Sequence, residues 1–521
     1  MANQRISVVF TSSIVALGGF LMGFDASVIS GVVGLIESEF ALSKLQLGWS
    51  VASLTLTATL AMMVAGPLSD RIGRRRTLQF AALLFALSAF ASALAPSFTW
   101  LVLARMLGGL GVGAALIIAP VYIAESAPPQ SRGRLVSINQ LNIVLGISAA
   151  FFSNYLIISA GSMDTPWVEI LGLERWNWRW MLAVEVVPAL AYGLGLLFVP
   201  ESPRWLAMRG FDKEALSVLQ RLHGGDMAEI ELESMQRGLH EPQAAGARLA
   251  QLFTPAMRLV LTIGVSIGIL QQITGINSVF FYAPMIFEQS GVGTDAAFMQ
   301  AVLVGLVNLV FTVIAMAMID RIGRRPLLGF GLLGIAVSMC ALSYGFSSAT
   351  YTLPQNILEM LPDASLVPQL AAQVGTVYHS DIAFNDAMTA ALGDIAFAEN
   401  KSLLINSAIS INAPLILLAI LAFVASFAVS IGPVMWVLFS EIFPTAVRGL
   451  AISFVGLINS AVSFTVQFIF PWELDRLGAA TTFLIYGLFA ALGLVLIMKI
   501  LPETKGRSLE ELELELVARE N

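Results

Sequence analysis

Three charged side chains stand inside otherwise apolar stretches of this chain. Asp25 and Arg105 lie within separate apolar runs, and Glu185 lies within a third. A charge inside an apolar helix is costly unless it is paired or hydrated, so such residues usually mark function. A carboxylate beside an arginine can alternate between paired and protonated states, which gives proton binding a conformational consequence. We therefore predict a proton-coupling pair with Glu185 as a possible third member; the alternative is a permanent salt bridge.

A second group consists of carboxamide side chains within apolar segments: Gln140, Gln271, Gln272, Asn277, Asn308 and Asn459. A carboxamide donates and accepts hydrogen bonds without carrying a charge, which suits a ligand covered with hydroxyl groups. Trp436 could add an apolar ring face and one indole N–H. Buried amides also join membrane helices to one another, so the pattern alone leaves binding and helix packing open.

The elements that must position these residues are membrane-spanning helices. Of 521 residues, 57% are hydrophobic and 12% are charged, and the mean hydropathy is +0.81. Soluble domains carry about 25% charged residues. Backbone amides in lipid need partners within their own segment, so spans of this length must be helices. We predict an all-α membrane protein with twelve spans, near 8–33, 49–69, 77–96, 100–123, 135–160, 180–199, 258–288, 297–319, 327–347, 409–438, 450–472 and 480–501.

The spans divide into two sets of six. We predict an N-terminal six-helix bundle over 1–200, a cytoplasmic helical linker over 201–257, a C-terminal bundle over 258–501 and a cytoplasmic tail over 502–521. An outer-face insertion at about 348–408 is polar and mildly acidic, and its composition fits a small cap and a disordered loop equally well.

A short basic loop occurs once in each predicted bundle. The sequence Asp-Arg-Ile-Gly-Arg-Arg begins at Asp70 and again at Asp320, and a Glu followed by Arg-Gly recurs further on in each half. Gly73 and Gly323 would allow the tight turn, and the arginines could reach carboxylates at neighbouring helix ends. We predict a cytoplasmic gate made of Arg74, Glu125, Arg132, Arg324, Glu441 and Arg448.

Lysine and arginine are distributed unequally between the two sides of the predicted helices. Only five of the 28 lie in loops opposite the termini and the linker: Lys44, Arg175, Arg179, Lys401 and Arg476. Because basic loops stay in the cytoplasm, both termini are expected there. We expect a multi-pass cell-membrane protein, in a bacterial inner membrane or alternatively in a eukaryotic plasma membrane.

Along essentially its whole length the chain resembles the sugar porter family of the major facilitator superfamily, and most of all the bacterial sugar–proton symporters of the xylose-carrier type. The resemblance is carried by motifs beginning at Arg105 (RMLGGLGVG), Pro120 (PVYIAE), Arg132 (RGR), Pro200 (PESPRWL), Gln271 (QQITGIN), Gly432 (GPVMW) and Pro502 (PETKGR). It implies the major facilitator fold, with a central site between two six-helix repeats. It also implies that all seven amide and tryptophan positions contact sugar.

The same resemblance implies roles for three further features. An aspartate at the position of Asp25 is typical of proton-coupled members, whereas several facilitative members carry a neutral residue there. Phe281 and Tyr282 are expected to form an outer gate, and Gly432-Pro433 should bend the tenth span, since proline removes a helix hydrogen bond.

We therefore predict a proton-coupled symporter of a monosaccharide, a hexose or a pentose, working by alternating access. The alternatives are a facilitative sugar or polyol uniporter and, in another class, a non-transporting sugar sensor. We expect no enzymatic activity, because no metal-ligand cluster, nucleotide-binding loop or nucleophile motif is present. No cofactor, metal or nucleic acid is expected, and the partners are the sugar, protons and the bilayer, with the protein acting as a monomer.

Overall fold

The structure is a computed structural model that describes residues 8–128, 131–240, 249–361, 366–444, 447–507 and 511–512. Its first part consists of eight helices: α1 (Val8–Glu39), α2 (Lys44–Ile72), α3 (Arg74–Ala93), α4 (Phe98–Ser126), α5 (Arg132–Gly161), α6 (Pro166–Leu171), α7 (Asn177–Ala183) and α8 (Val186–Gly195). Of these, α6 is a short helix between the fifth and sixth predicted spans, and α7 and α8 together make the sixth predicted span.

Three helices and two short 3₁₀ turns follow in the predicted linker. They are α9 (Pro203–Met208), α10 (Asp212–His223), α11 (Gly225–His240), Leu249–Phe253 and Pro255–Met257. Leu206, Ala215 and Val218 form a small buried cluster, so the linker has its own apolar contacts. The Nε2 of His223 hydrogen bonds to the carbonyl oxygen of Ser126, 3.0 Å away, which attaches this helical segment to the end of α4.

The second half begins with a helix that is broken twice, giving α12 (Arg258–Ile273), α13 (Ile276–Phe281) and α14 (Ala283–Glu288). Two unbroken spans follow, α15 (Thr294–Ile322) and α16 (Arg324–Ser347). After the insertion come α21 (Ala413–Val429), α22 (Ile431–Ile442) and α23 (Arg448–Ile500). α23 holds two spans, because Gly478 adopts a non-helical φ of 75° in the middle of its 53 residues.

These helices confirm the prediction of twelve spans. Within the described ranges, ten helices are long and apolar enough to cross a membrane. The kink at Gly478 divides one of them into two spans, and the pair α7 and α8 supplies the sixth span in two pieces. The tenth span also bends as predicted, although the break lies at Ser430, just before Gly432-Pro433.

The predicted insertion forms a compact cap in its described part. It contains α17 (Ile357–Met360), α18 (Val367–Leu370), α19 (Asp381–Leu392) and α20 (Asp394–Ala408), together with the strands β1 (Thr350–Thr352), β2 (Val377–Tyr378) and β3 (Ile409–Ser410). The strands form an antiparallel sheet in the order β2-β1-β3. Tyr351, Phe384, Met388 and Leu404 are among its buried side chains, so of the two readings of this segment the structure has the cap.

The chain forms two compact units whose boundaries differ from those of the two six-helix sets. One contains the described residues within Met1–Val28, Ser53–Ser153 and Arg175–Gly246. The other contains those within Ile29–Ala52, Asn154–Glu174 and Ala247–Asn521. In the second unit, a Cβ added at Gly48 would lie 1.9 Å from the carbonyl oxygen of Phe468, so the start of α2 packs directly against α23.

Candidate functional site

Asp25 and Arg105 meet inside the first unit, as their positions in the sequence suggested. The Arg105 Nη1 lies 3.4 Å from the Asp25 Oδ1, and its Nη2 donates to the backbone carbonyl of Asp25 at 3.4 Å. Both side chains are almost fully buried. These distances are long for a charge-assisted hydrogen bond, so the ion pair is loose rather than tightly bidentate.

Glu185 joins the same cluster from the break between α7 and α8. Its side chain is buried and faces both Asp25 and Arg105. The Asp25 Oδ2 and the Glu185 Oε1 have no hydrogen-bond partner among the described residues. One guanidinium thus faces two carboxyl groups that keep free acceptor atoms, and a bound proton could occupy either.

Gly108 makes room for this carboxylate. A Cβ at that position would lie 2.5 Å from the Asp25 Oδ2 and 2.6 Å from the Ser88 Oγ. Gly23 similarly allows α1 to approach α5, since a Cβ there would lie 2.0 Å from the carbonyl oxygen of Ile143. The glycines of α1 and α4 therefore have a packing function around the charged cluster, which small residues commonly serve in membrane helices.

The second unit brings four of the predicted amides into one hydrogen-bonded network. Asn459 Nδ2 donates to the Gln271 Oε1 at 2.8 Å, and Gln272 Nε2 donates to the Asn459 Oδ1 at 3.2 Å. Asn277 Nδ2 donates to the Gln272 Oε1 at 2.8 Å. The break in the helix at Thr274-Gly275 allows this, because it turns Asn277 back toward the glutamines.

Two members of this network were missed by the sequence analysis. Asn277 Nδ2 also donates to the Ser463 Oγ at 2.7 Å, and Gln467 Nε2 donates to the same oxygen at 2.7 Å. Ser463 and Gln467 follow Asn459 at intervals of four residues along α23, so helical spacing alone would have placed them on one face.

The remaining predicted sugar contacts, Asn308, Trp436 and Gln140, lie elsewhere in the described structure. Asn308 is buried on α15. Trp436 lies on α22 with half of its surface exposed and its ring against Phe439. Gln140, in the first unit, has an exposed side chain on α5. The structure leaves their predicted roles untested.

The predicted outer-gate residues lie at the second break of the seventh span. Tyr282 separates α13 from α14, is fully buried, and its Oη donates to the carbonyl oxygen of Gln467 at 2.9 Å. Its ring also contacts Phe470, with centroids 5.1 Å apart. Phe281 is partly buried beside it.

Four of the six predicted cytoplasmic gate residues form two equivalent clusters, one within each unit. Arg74 Nε contacts the Glu125 Oε2 at 3.0 Å, and Arg324 Nη2 contacts the Glu441 Oε1 at 2.7 Å. Arg448 donates to the carbonyl of Phe443 at 3.0 Å, and Arg132 is exposed. Both observed ion pairs therefore join helices of one unit.

Each cluster contains a further carboxylate that the sequence analysis did not assign, in addition to those that pair with the arginine side chain. Glu201 accepts from the backbone N–H of Arg74 at 2.9 Å, and Glu503 accepts from that of Arg324 at 3.0 Å. Both residues follow a proline in motifs that begin Pro-Glu-Ser and Pro-Glu-Thr. The repeated Pro-Glu pair could have predicted this role from the sequence, since carboxylates at helix N-termini accept hydrogen bonds from the free backbone N–H groups there.

This duplicated arrangement of basic loops and carboxylates agrees with the sequence match. Residues 11–360 and 387–516 match the family described as "Sugar (and other) transporter". The chain belongs to this family. The unmatched residues 361–386 lie in the cap, so part of the cap is outside the family pattern.

Individual members of the sugar transporter family match over nearly the whole chain. An arabinose-proton symporter of Bacillus subtilis is 34% identical, with 97% of this chain and 94% of that protein covered. A D-xylose-proton symporter of Escherichia coli is also 34% identical, with 97% and 95% covered. The inward-open xylose transporter XylE from E. coli superposes with a TM-score of 0.74 at 31% identity, covering 97% and 99%. The expected resemblance to xylose-carrier-type sugar porters is confirmed.

Proposed function

We propose that this protein is a proton-coupled monosaccharide symporter of the cell membrane that works by alternating access. The loose, buried pair of Asp25 and Arg105 carries the proposal. With Glu185 ionised as well, the cluster holds one positive and two negative charges in a region of low polarity, a state that favours uptake of one proton. Protonation of Asp25 releases Arg105, which changes the contacts between α1 and α4.

The amide network supplies the sugar site in this proposal. Gln271, Gln272, Asn277 and Asn459 hydrogen bond to one another. A sugar hydroxyl can both donate and accept, so it can replace one amide partner without leaving a buried polar group unpaired. Similar proteins named for arabinose and D-xylose transport support a pentose or hexose substrate.

The gates are also part of the proposal. We assign the loops that carry Arg74 and Arg324 to the cytoplasm together with both termini, because these loops are rich in arginine and basic loops stay on that side of a membrane. We assign the closing of the outer side to Tyr282 and Phe281, which lie next to Asn277 on the broken seventh span. No second chain is needed for any of these contacts, so we expect a functional monomer.

External pH, recorded while single sugars are added to energy-depleted cells in unbuffered medium, tests this function. Arabinose, D-xylose and glucose are the first probes. Alkalinisation on addition of one sugar, absent from cells with empty vector, is the expected result. Uptake of labelled sugar without a pH change would show a uniporter and reduce Asp25 and Arg105 to a structural pair.

A further inference from the structure

A carboxylate and a tyrosine close to the kink of α23 form a pair that the proposed mechanism does not use. The Tyr486 Oη donates to the Glu473 Oε2 at 2.7 Å. Tyr486 is almost fully buried, and Glu473 is partly buried. The two residues lie on opposite sides of the kink at Gly478, so this hydrogen bond connects the eleventh and twelfth spans.

The ring of Tyr486 lies directly on the break in the seventh span. Gly275 adopts a φ of 88°, and a Cβ added there would lie 2.4 Å from the Tyr486 Cδ2. Only glycine fits this position, because the backbone is left-handed and the ring occupies the side-chain space. The break separates Gln271 and Gln272 on α12 from Asn277 on α13.

The same ring is connected to the other end of α13. Tyr486 stacks on Phe470, with centroids 6.4 Å apart and planes 21° apart. Phe470 in turn contacts Tyr282, the residue at which α13 ends. Tyr486 therefore supports both ends of a helix of six residues, which is too short to be stable without such packing.

We propose that Glu473 and Tyr486 are positioning residues for sugar recognition, in that they hold α13 so that Asn277 faces Gln272 and Ser463. The part of this inference that concerns sugar recognition rests on the proposed function. The part that concerns the packing of α13 does not. The hydrogen bond fixes the tyrosine ring, the ring fixes the break at Gly275, and the break sets the direction of Asn277. Neither residue needs to touch the sugar.

The test uses variants that change one atom group each in the full-length protein. Tyr486→Phe keeps the ring and removes only its hydroxyl, and Glu473→Leu removes the acceptor. Glu473→Gln keeps an acceptor oxygen and should restore the wild-type behaviour. Tyr344→Phe is the matched control, because Tyr344 is 68% exposed on α16 and lies outside the site.

Hydrogen–deuterium exchange of the purified protein, without sugar, measures the structural part. Loss of one hydrogen bond should speed exchange in peptides covering residues 274–282 about three- to ten-fold in Tyr486→Phe and Glu473→Leu. Exchange elsewhere should be unchanged, and the double variant should show no further increase. Unaltered exchange in this segment would overturn the proposal.

Sugar uptake measures the functional part. With the sugar that gives a signal in wild type, among arabinose, D-xylose and glucose, KM should rise about three- to ten-fold in both variants. Vmax should change little, whereas a general loss of stability would lower Vmax and protein level instead. Faster exchange with an unchanged KM would show that the pair does not serve recognition. If exchange responds but wild type moves no sugar, the proposed function fails while the support of α13 by the pair stands.

Discussion

At the scale of single residues, the carboxyl group of Asp25 is the centre of the proposed coupling. Asp25→Asn keeps the size of the side chain and can still accept a hydrogen bond from Arg105, but it cannot bind and release a proton. We expect the variant to exchange labelled sugar for unlabelled sugar across the membrane at a rate near that of wild type. Accumulation against a gradient should fall at least about ten-fold, because exchange needs no net proton movement.

Proteoliposomes with an imposed pH gradient separate these two activities. Asp164→Asn is the matched control, since Asp164 is exposed in a loop. If Asp25→Asn still concentrates sugar, the proton binds elsewhere, and Glu185 becomes the first residue to replace.

Several residue assignments could be made from chemistry in the sequence, and others could not. Asp25, Arg105 and Glu185 were recognisable because charges in apolar runs are rare. Glu473 and Tyr486 were not, because a glutamate just after one predicted span and a single tyrosine inside the next are unremarkable in the sequence of a membrane protein. Their importance comes from contact with Gly275, which lies about two hundred positions away in the chain and follows only from the packing of α23 on the seventh span.

At the scale of elements, the two basic loops show why the repeated glycines are needed. Gly73 and Gly323 both have a φ of 104°, and an added Cβ would lie 2.3 Å from the Glu201 Oε2 or 2.7 Å from the Glu503 Oε2. Alanine would therefore strain the backbone and push away the carboxylate that accepts the N–H groups of the next helix. We expect Gly73→Ala and Gly323→Ala to lower the unfolding temperature, each costing about 1–3 kcal/mol.

Gly66→Ala is the control for this pair, because an added Cβ at Gly66 meets nothing within 4 Å in the described structure. Gly66 lies inside α2 just before Pro67, so the better helix propensity of alanine is offset by crowding from the proline ring, and the variant should be close to neutral. Thermal unfolding of the detergent-purified protein would measure all three. Equal unfolding temperatures for Gly66→Ala and the two loop variants would contradict the role given to Glu201 and Glu503.

The break in the seventh span gives a second prediction at this scale. Gly275→Ala introduces a side chain at a positive φ and against the Tyr486 ring, so either α13 rotates or the ring moves. Because α13 carries Asn277, we expect sugar binding to fall about ten-fold or more, well beyond the effect of losing one hydrogen bond. Equilibrium sugar binding to the purified variant measures this, with Gly456→Ala as control, since that position is open. Unchanged affinity would mean that sugar binding does not depend on the direction in which α13 presents Asn277.

The sequence could predict the spans but not their breaks, for a physical reason. Hydropathy reports which residues can be buried in lipid. α12, α13 and α14 form one continuous apolar stretch, so hydropathy does not show where the helix breaks. The breaks at Gly275 and Tyr282 depend on a positive φ and on hydrogen bonds to α23. Gly432-Pro433 was a visible breaker, because proline is incompatible with an uninterrupted helix at any burial.

At the scale of the whole molecule, the cap is the part that the family pattern covers least. Its polar, mildly acidic sequence fits a folded cap and a disordered loop equally well, so composition did not decide between them. The segment folds as a cap because its side chains share a core around Tyr351 and Phe384, and because Asp381 contacts the kink of α23. There the Asp381 Oδ2 accepts from the backbone N–H of Ala479 at 3.0 Å.

Lys401 in the cap gives the last prediction. Burial, with a further contribution from Lys44, lowers the pKa of its ammonium group from 10.5 to about 8, although carboxylates surround it: Glu37, Glu288, Asp381 and Asp475. The folded state therefore binds this proton more weakly than the unfolded state. Its stability should rise with pH between about 8 and 10.5, the window set by the two pKa values.

Lys401→Met removes the charge and keeps the length of the side chain, so we expect it to stabilise the cap at pH 7 and to abolish this rise. Hydrogen exchange in α19 and α20, corrected for the intrinsic rate at each pH, measures cap opening at pH 7 and 9. Lys213→Met, on the exposed face of α10, should leave the cap unchanged. Slower opening of the wild-type cap at pH 9 than at pH 7 would show that burial of the charge outweighs its attraction to the four carboxylates. Faster opening of the Lys401→Met cap at pH 7 would show the reverse, that the ammonium group holds the cap to the end of α1 and to the kink of α23.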